Sequence, residues 1–363
     1  MKKLIIFLVL LSVVATYLVK TKRKENETVP EAEEKIVSLI AFGDNLIHNT
    51  IYTSARTGSG YDFKPILLDV KEYIQNFDIR FINQETILGG TELGLSTYPA
   101  FNTPQEMGDA LVDAGFNLIS LANNHTLDRG ERAVINSVNY WNSQDVIHSG
   151  SVLDPDESQV KIFEKKGIKF AFVAYTYGTN GIPHPDGKTY LANVYSDTKA
   201  SRDLKYVRDI VDVIIVSMHW GAEYRDYPNE EQIRQARHLS SLGVDIIIGH
   251  HPHVIQPVEL LENEDGRKTF VMYSLGNFLS DQKGIDRLIG MGVSLDIRKN
   301  SEGNVSLENF AAKLLYRYKN YNDNSFRILF FDDLSESFLK DYARYFSEKE
   351  ALIKTYFQNI TVS

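Results

Sequence analysis

Short apolar runs alternate with amphipathic segments along most of the chain. The runs have the length of β-strands and are bounded by polar residues and glycines. The predicted strands span residues 37–42, 79–82, 118–121, 170–175, 213–218, 246–248 and 270–273. The predicted helices span residues 65–75, 104–114, 132–141, 199–210 and 230–242. Strands that alternate with helices are typical of repeated βα units around a mostly buried sheet, so the pattern predicts an α/β fold.

The later part of the chain has a different pattern. Two apolar runs, residues 292–297 and 305–315, flank a polar segment that contains Gly303, and this arrangement predicts a β-hairpin. The tail from Leu334 onward has a helical pattern. We therefore predict an α/β domain over residues 36–315 and a peripheral helical extension over residues 316–363.

An apolar run near the N-terminus predicts a membrane segment. Residues 4–19 follow Lys2 and Lys3, and their number is near the lower limit of the roughly 17 to 25 residues that span a bilayer. Tyr17 is a poor flank for a cleavage site, which favours an uncleaved anchor over residues 1–19. Residues 20–35 are charged and predict a solvated linker. We thus expect a single-pass cell-membrane protein with an extracytoplasmic folded domain, although basic residues on both flanks leave its orientation to the N-terminal position of the run.

Composition limits the chemistry that the chain can perform. Of the 363 residues 43% are hydrophobic, which is enough for a substantial core. The net charge of −9 does not suit nucleic acid, and a polyanionic substrate would need a local cationic element such as bound metal. The sequence contains no cysteine, so a metal site would use His, Asp, Glu and Asn.

Polar clusters follow successive predicted strands. In an open α/β sheet, ligands bind outside the carboxyl ends of the strands, so these clusters are expected to converge. Each residue alone is more simply explained as a loop, turn or capping group, or for His219 as an interior histidine. Their repetition at successive strand ends favours one composite site. The clusters occupy residues 43–48, 83–86, 123–130, 219–223, 249–253 and 274–278.

Two histidines in one cluster are separated by a single proline. His251 and His253 would point the same way on extended backbone, and Pro252 favours that conformation. The position of this pair at the end of the series, with an aspartate at its start, argues against an amidohydrolase barrel.

The ordered motifs together resemble the poly-γ-glutamate capsule synthesis family of the CapA and PgsA type, over roughly residues 36–298. That family is itself similar to calcineurin-like metallophosphoesterases. The resemblance implies a four-layer β-sandwich flanked by helices. The motifs that carry it are Gly43-Asp44, Asn83-x-Glu85, Asn123-Asn124-His125 with Asp128 and Gly130, His219-Trp220-Gly221 with Glu223, Gly249-His250-His251-Pro252-His253 with Gln256, and Ser274-Leu275-Gly276-Asn277-Phe278.

The resemblance also implies a site with two divalent metal ions. His125 would be an outer acid, with its ring held by Asp128, although Asp128 could instead begin the following helix. Oxygen and imidazole ligands suit Mn, Zn or Fe. The implied ligands are Asp44, Glu85, Asn124, His219, His251 and His253.

The chain departs from the phosphoesterase pattern in two places. The first motif lacks Asp-x-His, for which His48 is a substitute if its loop folds back. The bridging position carries Glu85, where Asp is usual in the similar enzymes. A longer bridging side chain changes the metal separation, so the resemblance predicts the site more firmly than it predicts phosphoester hydrolysis.

The expected function is synthesis or surface assembly of an anionic polymer, poly-γ-glutamate, by a hydrolase-like metal site. The expected partners are the polymer and membrane-embedded capsule synthase subunits. Two alternatives stay open, a noncatalytic partner of a membrane polymer synthase and an extracytoplasmic phosphoesterase. Trp220, Tyr224 and Tyr273 are candidates for the wall of the groove, although aromatic residues beside strand ends are more often core.

Overall fold

Two β-sheets pack face to face, and helices cover their outer surfaces. The structure is a computed structural model that describes residues 16–17, 34–263 and 266–363. Within these ranges, no helix combines the length and the apolar character needed to cross a bilayer. The predicted membrane segment over residues 1–19 lies outside the described residues, apart from Thr16 and Tyr17.

The elements follow one another in the alternating order that the sequence predicts. The first half of the chain contains β1 (Lys35–Asn45), α1 (Asn49–Ser54), α2 (Lys64–Gln75), β2 (Ile79–Gln84), α3 (Glu106–Ala114), β3 (Leu118–Ser120), α4 (Gly130–Asn142), β4 (Ile147–Ser149), β5 (Lys161–Lys165) and β6 (Ile168–Thr176). The second half contains α5 (Asp197–Leu204), β7 (Val213–His219), α6 (Glu230–Ser241), β8 (Ile246–His250), β9 (Val258–Glu262), β10 (Lys268–Met272), β11 (Asn277–Leu279), β12 (Ile289–Lys299), β13 (Val305–Lys319), β14 (Phe326–Phe330), α7 (Tyr342–Ile353) and β15 (Thr361–Val362). Each predicted strand and helix overlaps one of these elements.

The two sheets have parallel centres and antiparallel edges. The larger sheet has the order β14-β13-β12-β1-β2-β3-β4, with β11 beside β1 and β15 beside β13. Strands β1 to β4 are parallel, and β12 and β13 form the predicted hairpin. The smaller sheet has the order β5-β6-β7-β8-β10-β9, with β6, β7, β8 and β10 parallel. The carboxyl ends of β1, β2, β3, β7 and β8 are therefore available to form one site.

The alternation of side chains along the strands divides the core into layers. Phe170 and Phe172 of β6 point into the layer between the sheets, where the ring of Phe172 meets the ring of Phe81 edge to face, with centroids 6.0 Å apart. Ala171 and Val173 point to the other side, into the layer under α5 and α6. A third layer lies between the larger sheet and α1, α2 and α3. The fold is thus mixed α/β, with helices outside two packed sheets, as predicted.

A capping box fixes the start of α6 close to the carboxyl end of β8. The side chain of Asn229 accepts from the backbone N–H of Gln232, and the side chain of Gln232 accepts from the backbone N–H of Asn229. Gln232 also donates to Gln256, which in turn donates to the carbonyl of Arg225. The helix start therefore anchors the loop that follows β8.

The C-terminal segment differs from the expected peripheral helical extension. It contains α7, but β14 and β15 both pair with β13, and Ile353 and Ile360 are buried in the layer between the sheets. Strands as short as β15 leave little periodicity to recognise in a sequence. The division of the chain at residue 315 stays a prediction.

His148 on β4 makes the stability of the fold sensitive to acid. Its Nε2 lies 2.9 Å from Oδ1 of Asn142, its Nδ1 has no hydrogen-bond partner in the described part of the chain, and burial lowers the pKa of His148 from 6.5 to about 4. The unfolded chain therefore binds this proton at higher pH than the folded chain does. The contribution of His148 to the free energy of unfolding is complete above pH 6.5 and declines as the pH falls towards 4.

We expect His148→Gln to remove this acid sensitivity. Between pH 7 and pH 5, the free energy of unfolding should fall by about 2 kcal/mol more for the wild type than for the variant. Urea unfolding at the two pH values measures the difference. Parallel pH profiles for the two proteins would contradict the assignment.

Candidate metal centre

The carboxyl ends of strands from both sheets meet at one buried position. Asp44 is the last but one residue of β1, Glu85 directly follows β2, and His219 is the last residue of β7. The pairing of β1 with β2 sets Asp44 opposite Asn83, which places Glu85 two residues beyond that pair. Each predicted ligand is at most 4% exposed: Asp44, Glu85, Asn124, His219, His251 and His253.

Two glycines allow the backbone to approach closely at this position. A Cβ on Gly43 would lie 1.8 Å from the carbonyl oxygen of Gly276, and a Cβ on Gly249 would lie 2.1 Å from that of Tyr273. The N–H of Asp44 donates to the same carbonyl of Gly276 at 2.9 Å. The glycines of the Gly43-Asp44 and Gly249-His250 motifs are therefore needed for chain packing beside the site.

Asp44 and His253 are joined by a short contact between a carboxylate oxygen and a ring nitrogen. Nδ1 of His253 lies 2.9 Å from Oδ2 of Asp44, and Asn83 donates to Oδ1 at 2.8 Å. Burial raises the pKa of Asp44, but the hydrogen bond and the charge of His253 outweigh it and hold the pKa below its usual value. Burial lowers the pKa of His253, while the charges of Glu85 and Asp44 raise it to about 9. Asp44 and His253 therefore form an ion pair when no cation is bound.

Glu85 lies between the two halves of the cluster. Its Oε1 is 3.6 Å from Nε2 of His253 and 3.7 Å from Nε2 of His219. Both carboxylate oxygens are buried, and neither has a hydrogen-bond partner within the described ranges. Burial and the nearby charge of Asp44 raise the pKa of Glu85 well above its usual value. A bound cation would compensate this otherwise costly buried carboxylate.

His219, Asn124 and His251 form the other half of the cluster. Nε2 of His219 lies 2.9 Å from Oδ1 of Asn124, and the rings of His219 and His251 are 4.8 Å apart. The Nδ1 atoms of both histidines are buried without a hydrogen-bond partner among the residues described. Burial and neighbouring histidines lower the pKa of His219 well below its usual value and the pKa of His251 to about 3. Both rings are therefore neutral, which is the form that binds metal.

The backbone that carries the His251 and His253 pair is not extended, contrary to the prediction. The φ angle is 94° at His251 and 59° at His253, so both residues lie in the left-handed region that non-glycine residues seldom adopt. The resulting turn brings the N–H of His251 to 3.3 Å from Oδ2 of Asp44. Convergence of the two side chains thus depends on a strained turn, which is a recurring feature of functional sites.

His125 lies at the edge of the cluster with its ring fixed by Asp128. Nδ1 of His125 lies 2.7 Å from Oδ2 of Asp128, and the same oxygen accepts from the N–H of Phe101 at 2.7 Å. A carboxylate only accepts, so Nδ1 of His125 carries the proton and Nε2 is left facing Asn124, whose Nδ2 lies 3.4 Å away. Asp128 makes no cap for α4. The orientation of His125 is therefore set by Asp128, as the first of the two interpretations requires.

His48 does not join the other candidate ligands. Its Nδ1 lies 3.1 Å from the carbonyl of Leu46 and 3.2 Å from the N–H of Asp281, and its ring meets Phe101 edge to face. Burial lowers the pKa of His48 to about 4. Since a neutral Nδ1 can accept from Asp281, the side chain stabilises the loop after β1.

Several residues of the site were not assigned roles from the sequence. Oδ1 of Asn277 lies 3.1 Å from Nδ1 of His253, and the Asn277 motif was recognised without a function for this residue. The ring of Tyr177 lies 4.8 Å from that of His251, and Asn180 accepts from Asn124 at 3.2 Å. Tyr177 and Asn180 belong to the loop after β6, which carries no metal-binding pattern.

The sequence motifs predict no role for His250, a buried histidine of the site. His250 stacks on Phe81 with ring centroids 5.3 Å apart, and its Nδ1 is 3.7 Å from Oδ1 of Asp44. Both nitrogens of His250 lack a hydrogen-bond partner among the described residues. Its place directly before His251 could have drawn attention to it.

The three aromatic candidates for the groove wall divide into two classes. Trp220 and Tyr273 stack with ring centroids 5.9 Å apart, and the indole donates to the carbonyl of Tyr273, so both belong to the core. Tyr224 is 44% exposed, and its ring centroid is 6.2 Å from that of His253. Tyr224 alone of these three therefore borders the site on the solvent side.

The donor atoms meet the requirements of a divalent metal. Ligand atoms of Glu85, His251 and His253 lie within 4.8 Å of one another, and so do those of Asp44, Glu85 and His219. Glu85 is common to both groups. Carboxylate and imidazole ligands, some of them buried without partners, fit Mn, Zn or Fe. The residues present thus fit a metal site.

Comparisons with known proteins agree with the motifs. The family described as "Bacterial capsule synthesis protein PGA_cap" matches residues 38–282. PGA biosynthesis protein CapA of Bacillus subtilis (strain 168) is 28% identical over 213 residues, which cover 55% of this chain and 52% of the relative. Capsule biosynthesis protein CapA of Bacillus anthracis is 28% identical over 191 residues, which cover 49% of this chain and 43% of the relative. The chain thus spans about half the length of these two relatives.

A likeness to solved structures is also found. The calcineurin-like phosphoesterase YfkN from Bacillus subtilis is 13% identical, with 76% of this chain and 91% of that chain covered and a TM-score of 0.42. The family match covers more than half of the chain and includes every predicted ligand. The resemblance inferred from the motifs is therefore confirmed, and the chain belongs to the bacterial capsule synthesis protein PGA_cap family.

Proposed function

We propose that this protein acts in the synthesis or surface assembly of poly-γ-glutamate through a dinuclear metal site. In this proposal, residues 1–19 anchor the chain in the cell membrane and the folded domain is extracytoplasmic. Membership of the PGA_cap family and the capsule-related names of its relatives support the polymer role. The apolar run over residues 4–19 supports the anchor.

The position of Glu85 is the observation that carries the dinuclear site. Contacts of 2.9 Å pair Asp44 with His253 and Asn124 with His219, and Glu85 lies between the pairs. Its distances of 3.6 and 3.7 Å to the two histidines leave it able to serve both sides. Glu85 would thus bridge two ions. The other ligands of the pair would be Asp44, Asn124, His219, His251 and His253.

His125 would supply the general acid-base group of the proposed reaction. When bound, a pair of divalent cations supplies Lewis-acid chemistry suited to hydrolysis at a carbonyl or phosphoryl centre. His125 holds its proton on Nδ1 against Asp128, so its Nε2 can exchange a proton with a group beside Asn124. Tyr224 borders the approach from solvent.

An anionic polymer suits this site for reasons of charge. The protein carries a net charge of −9, so a polyanion gains no general attraction to its surface. Bound cations would provide local attraction at the carboxyl ends of the strands. The proposed partners are poly-γ-glutamate and the membrane-embedded subunits that synthesise it.

Metal content tests the dinuclear site. The purified full chain should hold about two equivalents of Mn or Zn. Glu85→Gln should lose most of this metal, because the bridging carboxylate is common to both groups of ligands. Elemental analysis measures both proteins after dialysis against trace metal. Glu72→Gln is the matched control, since Glu72 is an exposed carboxylate of α2 and lies outside both groups. Equal metal in the two variants would refute the assignment.

Polymer output tests the role of His125. In cells that depend on this chain, His125→Ala should reduce poly-γ-glutamate by about 100-fold or more, because a positioned general acid-base group contributes at least this factor. Asp128→Asn should also reduce polymer output, because an amide can hold the ring of His125 in the wrong tautomer. Metal content and thermal unfolding should match the wild type in both variants.

A histidine outside the site serves as the control for this prediction. His238→Ala changes α6 and should leave polymer output unchanged. Unchanged output in His125→Ala would favour the noncatalytic partner of a synthase. Turnover of an aryl phosphate ester that is lost in Asp44→Ala would favour a phosphoesterase.

A further inference from the structure

A cavity lies near the metal centre, and one segment of the chain forms part of the wall of both. The volume of the cavity is about 750 Å³. The shared segment is residues 177–182, which follow β6. This segment contacts the centre through Tyr177 and Asn180, and it lines the cavity with Gly178, Thr179, Gly181 and Ile182. A ligand in the cavity would therefore contact the same segment that contacts the candidate metal site.

The charge of the cavity lining is positive. Lys199 and Arg202 of α5 are its charged residues, and no carboxylate is found among the described residues that line it. Asp203, just outside, lies 2.5 Å from Nζ of Lys199 and 3.3 Å from Nη2 of Arg202. These three side chains together carry a net charge of +1. This sign is opposite to that of the whole chain, which carries −9.

The remaining lining is aliphatic and hydroxylic. Ile182, Pro183 and Val194 supply apolar surface, while Thr189 and Thr198 add hydroxyl groups. Aliphatic surface next to cations matches an acid whose carboxylate is carried on methylene groups.

We propose that this cavity binds aliphatic carboxylates. This inference rests on the proposed function. The cavity would hold glutamate residues of the polymer while a more distant part of the same polymer lies at the metal centre. The volume lies within the range of about 300 to 1,000 Å³ that is usual for ligand sites. Such a subsite would fix the position of an extended polymer relative to the metal centre. It would therefore bind an oligomer more tightly than a free amino acid.

Calorimetric titration of the full chain, stripped of metal with chelator, tests this assignment. A γ-linked decamer of glutamate should bind, whereas free glutamate should bind at least about tenfold more weakly because it fills only one position. Lys199→Met with Arg202→Met should weaken the decamer at least about tenfold. Lys205→Met is the matched control, because Lys205 is exposed, follows α5 directly and lies outside the lining.

A second variant keeps the test independent of the ion pairs at Asp203. A Cβ at Gly178 would meet no atom within 4 Å, so Gly178→Phe has room to place its ring in the cavity and should also weaken the decamer. Wild-type affinity in both Gly178→Phe and the double variant, or no binding by the wild type, would overturn the site. Equal affinity for free glutamate would overturn its assignment to the polymer.

The metal-site variant separates this inference from the proposed function. Titrated without chelator beside the wild type, Glu85→Gln should retain the affinity of the cavity for the decamer although it loses metal, because Glu85 is not part of the lining. Decamer binding that disappears in Glu85→Gln would place the ligand at the metal centre and refute the cavity site. Decamer binding together with unchanged polymer output in His125→Ala would retain the cavity and refute only the catalytic proposal.

Discussion

A carboxylate without a partner determines the character of this structure. Glu85 is held in the interior between two sheets, its two oxygens have no hydrogen-bond donor in the described part of the chain, and its nearest polar neighbours are two histidines and Asp44. Burial of the carboxylate in its charged form costs free energy, and a nearby positive charge lowers this cost. The neutral rings of His219 and His251 and the ion pair of Asp44 with His253 surround it and define where such a charge can lie.

Much of the fold could be predicted because the strands carry a strong pattern. Runs such as residues 170–175 and 213–218 are apolar on both faces, since one face packs against the second sheet and the other against helices. The strands at the edges gave weaker signals. β5 is half exposed, and β15 has only two residues, so neither has enough buried positions to set a periodicity.

The site could be predicted where each residue directly follows a strand. Parallel register places Asp44 and Glu85 at the carboxyl edge of the larger sheet and His219 at the carboxyl edge of the smaller sheet. Contacts made by loops could not be predicted in the same way. Tyr177 reaches His251 through a loop of irregular conformation, and the turn at His251 and His253 uses positive φ angles that no residue type there favours. The role of His48 depended on whether its loop folds back, and a sequence pattern cannot determine this.

The C-terminal strands have a consequence for what counts as one folding unit. The family match ends at residue 282, yet β12 pairs with β1 along seven residues and β13 continues that sheet. Ile353 and Ile360 then close the apolar layer between the sheets. An alignment boundary therefore falls inside the larger sheet, and a shortened chain that kept every motif would expose apolar residues of the layer between the sheets to water. The segment that the family match covers is therefore shorter than the segment that forms the two packed sheets.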